Sequence, residues 1–332
     1  MDLRTRYLGL ELDSPLVVGS SPLADDLDMV RRLEDAGAAA IVMTSLFEEQ
    51  LVGEQVEAEL PLDPPAAAYL GAREYLPSRE AYRLSPDGYY ERLARIKQAV
   101  AIPVIASLNG RTAGYWVEAA AYLESAGADA LEMNVYRLAT DPRRSAEAIE
   151  HETVEMVRAA RAAVRVPIAV KISPFYTSLA HFAARLAAAG ADGLVLFNRF
   201  YQPDIDLDAL TVERTLHYSD PSELLLRLRW LAILHGRLGG VSLAASGGVH
   251  SGGDVVKALL AGADAVQVVS LLLREGPQQL ARLKSELIAW LVERGRAGVA
   301  DVRGSLALDR CADADAYERA NYLHLLHGPA AG

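Results

Sequence analysis

The sequence is poor in cysteine and in lysine. Its 332 residues hold one cysteine, Cys311, and only four of its 33 basic residues are lysines. One cysteine excludes an intrachain disulfide, a Cys-rich zinc site and a self-contained iron–sulfur cluster. No basic run is present and the formal net charge is −11, which argues against nucleic-acid binding, since that needs Lys and Arg to neutralise phosphates. There is no apolar run of the roughly 18 residues that a membrane span needs. The opening MDLRTRYLGLELDSP also lacks the apolar core of a signal peptide. A soluble, cytoplasmic protein without membrane attachment is therefore expected. Neither HExxH nor GxSxG occurs, and no metal site is expected. With 51% hydrophobic residues the chain is far too apolar to be disordered, and it is long enough to bury a sizeable core.

A repeat is present. Ala36–Met43 (AGAAAIVM), Ala126–Met133 (AGADALEM), Ala189–Leu196 (AGADGLVL) and Ala261–Val268 (AGADAVQV) share one pattern. In each, a Gly closes an apolar-periodic stretch as a helix C-cap does, and a β-rich run follows. Helices are expected over Leu27–Asp35, Trp116–Ser125, Ser178–Ala188 and Gly253–Leu260. Further apolar runs at Ile102–Leu108, Val166–Ile172 and Val241–Ala245 each follow a helix-like segment, namely Tyr89–Val100, Ile149–Val164 and Pro221–Leu238. With Pro15–Gly19 at the start, eight apolar strands alternate with helices, the signature of a parallel sheet buried on both faces. The expected fold is α/β, a (β/α)8 TIM barrel. A doubly wound sheet is the rival, but Gly19-Ser20-Ser21-Pro22 is not the Gly-rich turn it normally carries. Residues 1–300 are assigned to the barrel and 301–332 to a C-terminal tail packed on it. Arg6–Asp13 reads as an N-terminal β-hairpin plugging the barrel bottom. Residues 46–88, acidic and Pro-bearing, form a long loop after strand 2, too long for an ordinary βα connection.

Polar residues stand at the strand ends that face a barrel's site. In order they are Ser20 and Ser21, Thr44 and Ser45, Asn109, Asn134, Lys171 and Ser173, Asn198, Ser246-Gly247-Gly248, and Ser270. Any one of these reads as a cap or turn former; all eight strands ending so is hard to explain by capping alone. Lys171 lies between Val170 and Ile172, where a parallel strand buries its neighbours, so it needs an anion or serves chemistry. Ser246-Gly247-Gly248 leads into a helix opening near Ser251, and Val269-Ser270 ends the eighth strand. Loops after strands 7 and 8 are where barrels commonly bind phosphate. His151, His181 and His235 read as structural, while His250, beside the phosphate-type loop, stays open.

The motifs YLGLELDSPLVVGSSP, PVIASLNG, LEMNV, VPIAVKISP, GLVLFN and ASGGVHSGGDVVKALLAGADAVQVVSLLLREGP resemble those of the FMN-dependent dihydroorotate dehydrogenases. The resemblance covers roughly residues 3–300 and is greatest to the soluble class and its dihydroorotate dehydrogenase-like bacterial subgroup. It implies FMN across the top of the barrel. Its phosphate would lie on Ser246, Gly247, Gly248, Val269 and Ser270, and Lys171 would stand beside the flavin. Gly19, Ser20, Thr44, Ser45, Asn134 and Asn198 complete the implied cofactor site. A cation at the N1/O2 edge of the flavin stabilises its anionic reduced form.

The chain departs from that family at the substrate end. A Cys or Ser base is expected a few residues after the strand 4 asparagine, where this sequence reads Asn134-Val135-Tyr136-Arg137-Leu138-Ala139. The soluble class carries a lysine after strand 2, where Thr44-Ser45-Leu46 stands here. Leu76-Pro77-Ser78-Arg79 replaces an asparagine-rich substrate loop. Tyr136 and Arg137 are the remaining catalytic candidates. Arg does not lose its proton, so Tyr136 would be the base, with a phenol lowered from about 10 by Arg137. Arg137 is alternatively a partner for a substrate carboxylate, and both residues read equally well as loop lining. The expected activity is oxidation of a C–C bond beside a carbonyl or carboxylate, with dihydroorotate, of pyrimidine biosynthesis, the first substrate. A homodimer is expected. Two alternatives stand beside this: a flavoprotein subunit of a larger complex, its iron–sulfur partner on another chain, and a non-redox barrel acting on a phosphorylated sugar.

Overall fold

The computed structural model of the chain describes residues 1–48, 86–110, 112–135, 137–199, 202–213, 217–312, 314 and 317. It opens with an antiparallel hairpin, β1 (Thr5–Tyr7) and β2 (Leu10–Leu12). β3 (Leu16–Val18) and β4 (Ala40–Val42) follow, then a two-residue strand β5 (Leu46–Phe47). β6 (Val104–Asn109), β7 (Ala130–Asn134), β8 (Ile168–Ile172) and β9 (Gly193–Leu196) continue the sheet. A small hairpin, β10 (Asp204–Asp206) with β11 (Thr211–Glu213), precedes β12 (Ser242–Ser246) and β13 (Ala265–Val268). Eight of these strands, β3, β4, β6, β7, β8, β9, β12 and β13, pair in parallel with their successors, and β13 pairs back onto β3. The sheet is a closed (β/α)8 TIM barrel.

Its outer helices are α1 (Leu27–Asp35), α2 (Pro86–Ala99), α3 (Ala113–Ser125), α4 (Ala146–Ala163) and α5 (Leu179–Ala188), then α6 (Leu224–Leu234), α7 (Gly252–Ala261), α8 (Ser270–Glu275) and α9 (Gln279–Glu293). None among the described residues is long and apolar enough to cross a membrane.

The repeat has a mechanical reason. After each helix the Gly takes a left-handed conformation, as Gly262 does with φ +116°. The Asp that follows in three of the four copies then reaches sideways to the neighbouring strand. Asp129 Oδ2 accepts from Val104 N at 2.6 Å, Asp192 Oδ2 from Ile168 N at 2.8 Å, and Asp264 Oδ2 from Leu243 N at 2.8 Å. Each carboxylate also meets a cation, Lys97, Arg161 and Arg303 respectively. The motif thus satisfies a strand-opening N–H at the barrel bottom that would otherwise lack a partner.

Strand alternation divides the apolar core in two. Outward residues such as Leu131, Ile168, Val170 and Val266 pack against the helices. Inward positions of the lower barrel are mostly small: Ala40, Ala130, Ala169, Ala244 and Ala265. The space they leave is filled by Tyr7, Leu8 and Leu12 of the first hairpin, which is the expected plug. The fit is tight at one point, since a Cβ on Gly193 would collide with Leu8 Cδ2. Leu8 holds φ +55° to make the turn, and its N–H donates to Ser242 Oγ at 3.0 Å. Thr5 Oγ1 donates to the Asp264 carbonyl at 2.9 Å.

Three features differ from the sequence reading. The helix expected over Pro221–Leu238 is a short 3-10 turn followed by α6, which stops at Leu234 because His235 leaves the helical region. Nδ1 of His235 bonds to the Gly262 carbonyl at 3.1 Å, a structural role as expected. Strand β5 and the β10–β11 hairpin are additions to the expected elements; β5 is set by pairing with β6, and the hairpin turns on Asp206, whose Oδ1 accepts from Asp208 N and Ala209 N. Most of the long loop after strand 2, residues 49–85, lies outside the described residues, as does the tail beyond 317.

Leu8→Ala is expected to cost about 2–5 kcal/mol by emptying the plug. Gly193→Ala alone should also destabilise. Combined, the two should be less damaging than their sum, because the added methyl occupies the vacated volume. Denaturant unfolding followed by circular dichroism measures all three.

Candidate functional site

The upper half of the barrel interior is polar. Inward positions two apart on β7 are Ala130, Glu132 and Asn134, and on β8 Ala169 and Lys171; β13 contributes Ala265 and Gln267. Above the alanine layer these polar side chains meet on the barrel axis. Lys171 Nζ donates to Glu132 Oε1 at 3.3 Å and to Gln267 Oε1 at 3.1 Å. Gln267 Nε2 donates to Glu132 Oε2 at 2.5 Å. Glu132 is 1% exposed, Gln267 0% and Lys171 7%. The anion that buried Lys171 requires is therefore supplied by the protein.

A second network joins the first four strand ends. Ser45 Oγ lies 2.8 Å from Ser107 Oγ and 3.3 Å from Ser20 Oγ. Asn134 Nδ2 donates to Ser45 Oγ at 2.8 Å and to Ser107 Oγ at 3.3 Å. Both amide protons are thus used, while Asn134 Oδ1, although buried, has no partner among the described residues. Thr44 stands outside this network: its Oγ1 donates to Asp25 Oδ1 at 2.7 Å and to the Ser21 carbonyl at 2.8 Å. Asn198 spans strands, its Nδ2 reaching the carbonyls of Val135 and Lys171 at 3.2 and 3.3 Å.

The loop after β12 is built for close approach. Gly247 and Gly248 have φ +96° and +80°, where an L side chain is strained. A Cβ on Gly248 would strike the backbone N of Leu224, and one on Gly247 would lie 3.0 Å from Arg227 Nη2. Arg227 is buried behind the loop, its Nε donating to the Ser246 carbonyl at 3.0 Å and its Nη1 to the Glu223 carbonyl at 2.7 Å. Burial lowers its pKa, while Glu223 opposes that shift. Glu223 is shared with Arg199, 2.6 Å away. Ser270 Oγ accepts from Ser219 N and Oγ at 3.0 and 2.9 Å. Val269 touches the first strand's end, since a Cβ on Gly19 would come within 2.7 Å of Val269 Cγ2. Nε2 of His250 is buried and unpaired among the described residues. Its backbone N–H donates to Asp254, within the capping box of α7.

The two catalytic candidates are treated differently. Tyr136 lies outside the described residues. Arg137 turns toward α4, where Nη1 meets Glu152 Oε2 at 2.5 Å. Glu152 also takes Arg144, and these two guanidiniums, Arg144 foremost, hold its carboxyl below its ordinary value. The structure therefore does not bring Arg137 together with Lys171, Asn134 and the serines.

The arrangement offers an oriented ammonium, one open carbonyl acceptor and a glycine loop of backbone N–H groups, all opening at one end of the barrel. Glu132, Gln267, Ser107, Arg227 and Glu223 escaped the sequence reading. For Glu132 the available signal was its inward parity with Asn134, two positions on in the same strand.

Residues 86–291, more than half of the chain, match the Dihydroorotate dehydrogenase family. Relatives include a dihydroorotate dehydrogenase B (NAD(+)) catalytic subunit of Methanothermobacter thermautotrophicus, 26% identical, covering 91% of this chain and 97% of its own. A protein of the same description from Methanosarcina acetivorans is 29% identical over 79% of this chain and 83% of its own. A dihydroorotate dehydrogenase (quinone) of Xanthobacter autotrophicus is 32% identical over 43% and 41%. Barrel, interior polar cluster and matched span agree, and the chain belongs to the dihydroorotate dehydrogenase family.

Proposed function

We propose that the protein is a cytoplasmic FMN-dependent oxidoreductase acting on a C–C bond beside a carbonyl or carboxylate, with dihydroorotate to orotate, a step of pyrimidine biosynthesis, as the first candidate reaction. The observation that carries the reading is the pairing of a buried, oriented Lys171 with an open acceptor, Asn134 Oδ1, at the mouth of the same barrel.

The residues present fit FMN. Gly247 and Gly248 leave the backbone bare where a phosphate would approach, whereas the start of α7 is already capped, Gly252 N donating to Glu286 Oε2 at 2.5 Å. Gly19 admits no side chain against Val269, which keeps the first strand's end flat for a ring system. Asn134 Oδ1 accepts from a ring or substrate N–H, and Lys171 donates to an electron-rich edge. Bound FMN supplies a hydride acceptor. Ser20, Thr44, Ser45, Asn198, Ser246, Val269 and Ser270 complete the proposed cofactor site. Thr44 supports it from outside the serine network, and Ser270 through its partner Ser219.

For the proton, the reading assigns Tyr136 as base at its phenolic oxygen. The Arg137 guanidinium is shared with the carboxylate of Glu152. A substrate carboxylate would have to find Arg137 against the competition of Glu152.

The diversion of Arg137 favours a second reading, a catalytically altered flavoprotein subunit. Two of the relatives are themselves described as catalytic subunits of an NAD(+) enzyme. An iron–sulfur chain would then be the electron partner, and the homodimer the core of the assembly.

The purified protein is expected to carry about one FMN per chain, visible as flavin absorbance. Gly248→Ala should weaken FMN binding at least tenfold, measured by fluorescence quenching, because its Cβ drives the loop off Leu224. Anaerobic dihydroorotate should bleach the flavin, and Tyr136→Phe should slow bleaching at least a hundredfold with FMN content unchanged. Bleaching that requires a co-purifying iron–sulfur protein would move the assignment to the second reading.

A further inference from the structure

The carboxylate of Glu132 sits one inward level below Asn134 on β7, in register with Ala169 of β8. Nothing in the catalytic reading uses it. Its side chain is 1% exposed, and that of the lysine it meets 8%. A carboxylate so placed is costly without a cation, and an ammonium so placed is costly without an anion. Gln267 closes the arrangement. Its Nε2 must donate to Glu132 Oε2, which leaves its Oε1 facing Lys171 Nζ. The amide orientation is thereby dictated by its neighbours. An ammonium has three donors; Glu132 and Gln267 take two, and one remains for the pocket. Beneath lies Tyr7 of the plug, whose buried hydroxyl has no partner among the described residues and whose titration is pushed up by burial and by the Glu132 charge.

We propose that Glu132 is a positioning residue which, with Gln267, aims the free N–H of Lys171 at the pocket mouth and cancels most of that lysine's net charge there. This deepens the FMN reading and rests on it. In this arrangement Lys171 acts as a directed hydrogen-bond donor. The Glu132 carboxylate tempers the stabilisation that a bare cation would give to an anionic reduced ring. Glu132 therefore sets how readily the site gives up electrons.

The experiment measures the midpoint potential of bound FMN by dye equilibration in the wild type, Glu132→Gln, Glu132→Asp, Lys171→Met and the double variant Glu132→Gln/Lys171→Met. Glu132→Gln should make the flavin easier to reduce by at least tenfold in equilibrium constant, about 30 mV more positive for a two-electron couple. Glu132→Asp, which keeps the charge but withdraws it, should fall between wild type and Glu132→Gln, and it carries the test should the glutamine variant fail to fold. In the Lys171→Met background the same Glu132→Gln change should shift the equilibrium less than twofold, because no ammonium remains for the carboxylate to aim or to offset. Thermal unfolding of the wild type, Glu132→Gln, Lys171→Met and the double variant without added flavin should place the double variant above these two single variants, as expected when each partner alone is left unpaired.

A Glu132→Gln potential equal to wild type or more negative overturns the proposal. So does an equal positive shift without Lys171, since Glu132 would then act by its own field. A wild-type chain that takes up no FMN removes the cofactor reading and this inference with it; a flavin-loaded wild type matched by Glu132→Gln removes the inference alone.

Discussion

The polar cluster on the barrel axis is arranged around one buried ion pair. Lys171 hangs from a strand whose outward neighbours are fully apolar, so its ammonium has nowhere to go but the interior. Once there it must be neutralised, and Glu132 does so from the adjacent strand while Gln267 fixes both from across the barrel. This constraint decides the height of the apolar plug as well. Hydrophobic filling has to stop below Glu132, and the alanine layer with Tyr7, Leu8 and Leu12 does stop there. The hairpin is therefore the floor of the site and a stabilising element at once. The same strand alternation that buries Ala130 at the bottom presents Asn134 at the top.

The rest of the architecture is organised to keep eight short strands in register around that centre. Three of the four repeat units carry an aspartate that ties the start of its own strand to an N–H near the start of the preceding barrel strand. The fourth, with Ala39 in place of the aspartate, keeps only the backbone bond that all four copies share, here Ala39 N to the Leu16 carbonyl at 2.8 Å. A repeated four-residue motif thus fixes the barrel bottom, which leaves the top free to vary. At that top, α3 is held by Glu48, which accepts from Thr112 N and Oγ1, and α7 by its own Ser251–Asp254 capping box. The phosphate-type loop is stiffened from behind by Arg227 rather than from within, which is how it tolerates two consecutive left-handed glycines.

The barrel was readable because its signals are local and repeated: apolar strands, helix-ending glycines and a constant spacing between them. Helix boundaries agreed within a few residues except after α6, where apolar residues run on to Leu238 but the chain leaves the helix at His235 and turns at Gly236, whose φ of +75° is that of a helix C-cap. Lys171 was conspicuous for the opposite reason, as a lone cation in an apolar run. Its partners were not. Glu132 in LEMN and Gln267 in AVQV are single polar letters in strands separated by more than a hundred residues, and only barrel closure shows that they face one another. Arg137 shows the same limit. Sequence places it beside Asn134, but its direction is set by Glu152, fifteen residues away on α4.

That contrast separates the two ends of the site. Where the FMN reading would put the cofactor, side chains drawn from at least five strands converge, and their contacts are with one another, with backbone or, for Thr44, with Asp25. At the substrate end, the residue types expected of the family are replaced, and the one described replacement is engaged elsewhere. A site under a single chemical demand would be expected to change at both ends or at neither. On the FMN reading proposed above, an intact ammonium, carboxylate and glycine loop beside a rewritten loop after β7 is what physical economy predicts for a flavoprotein whose electron donor differs from that of its relatives.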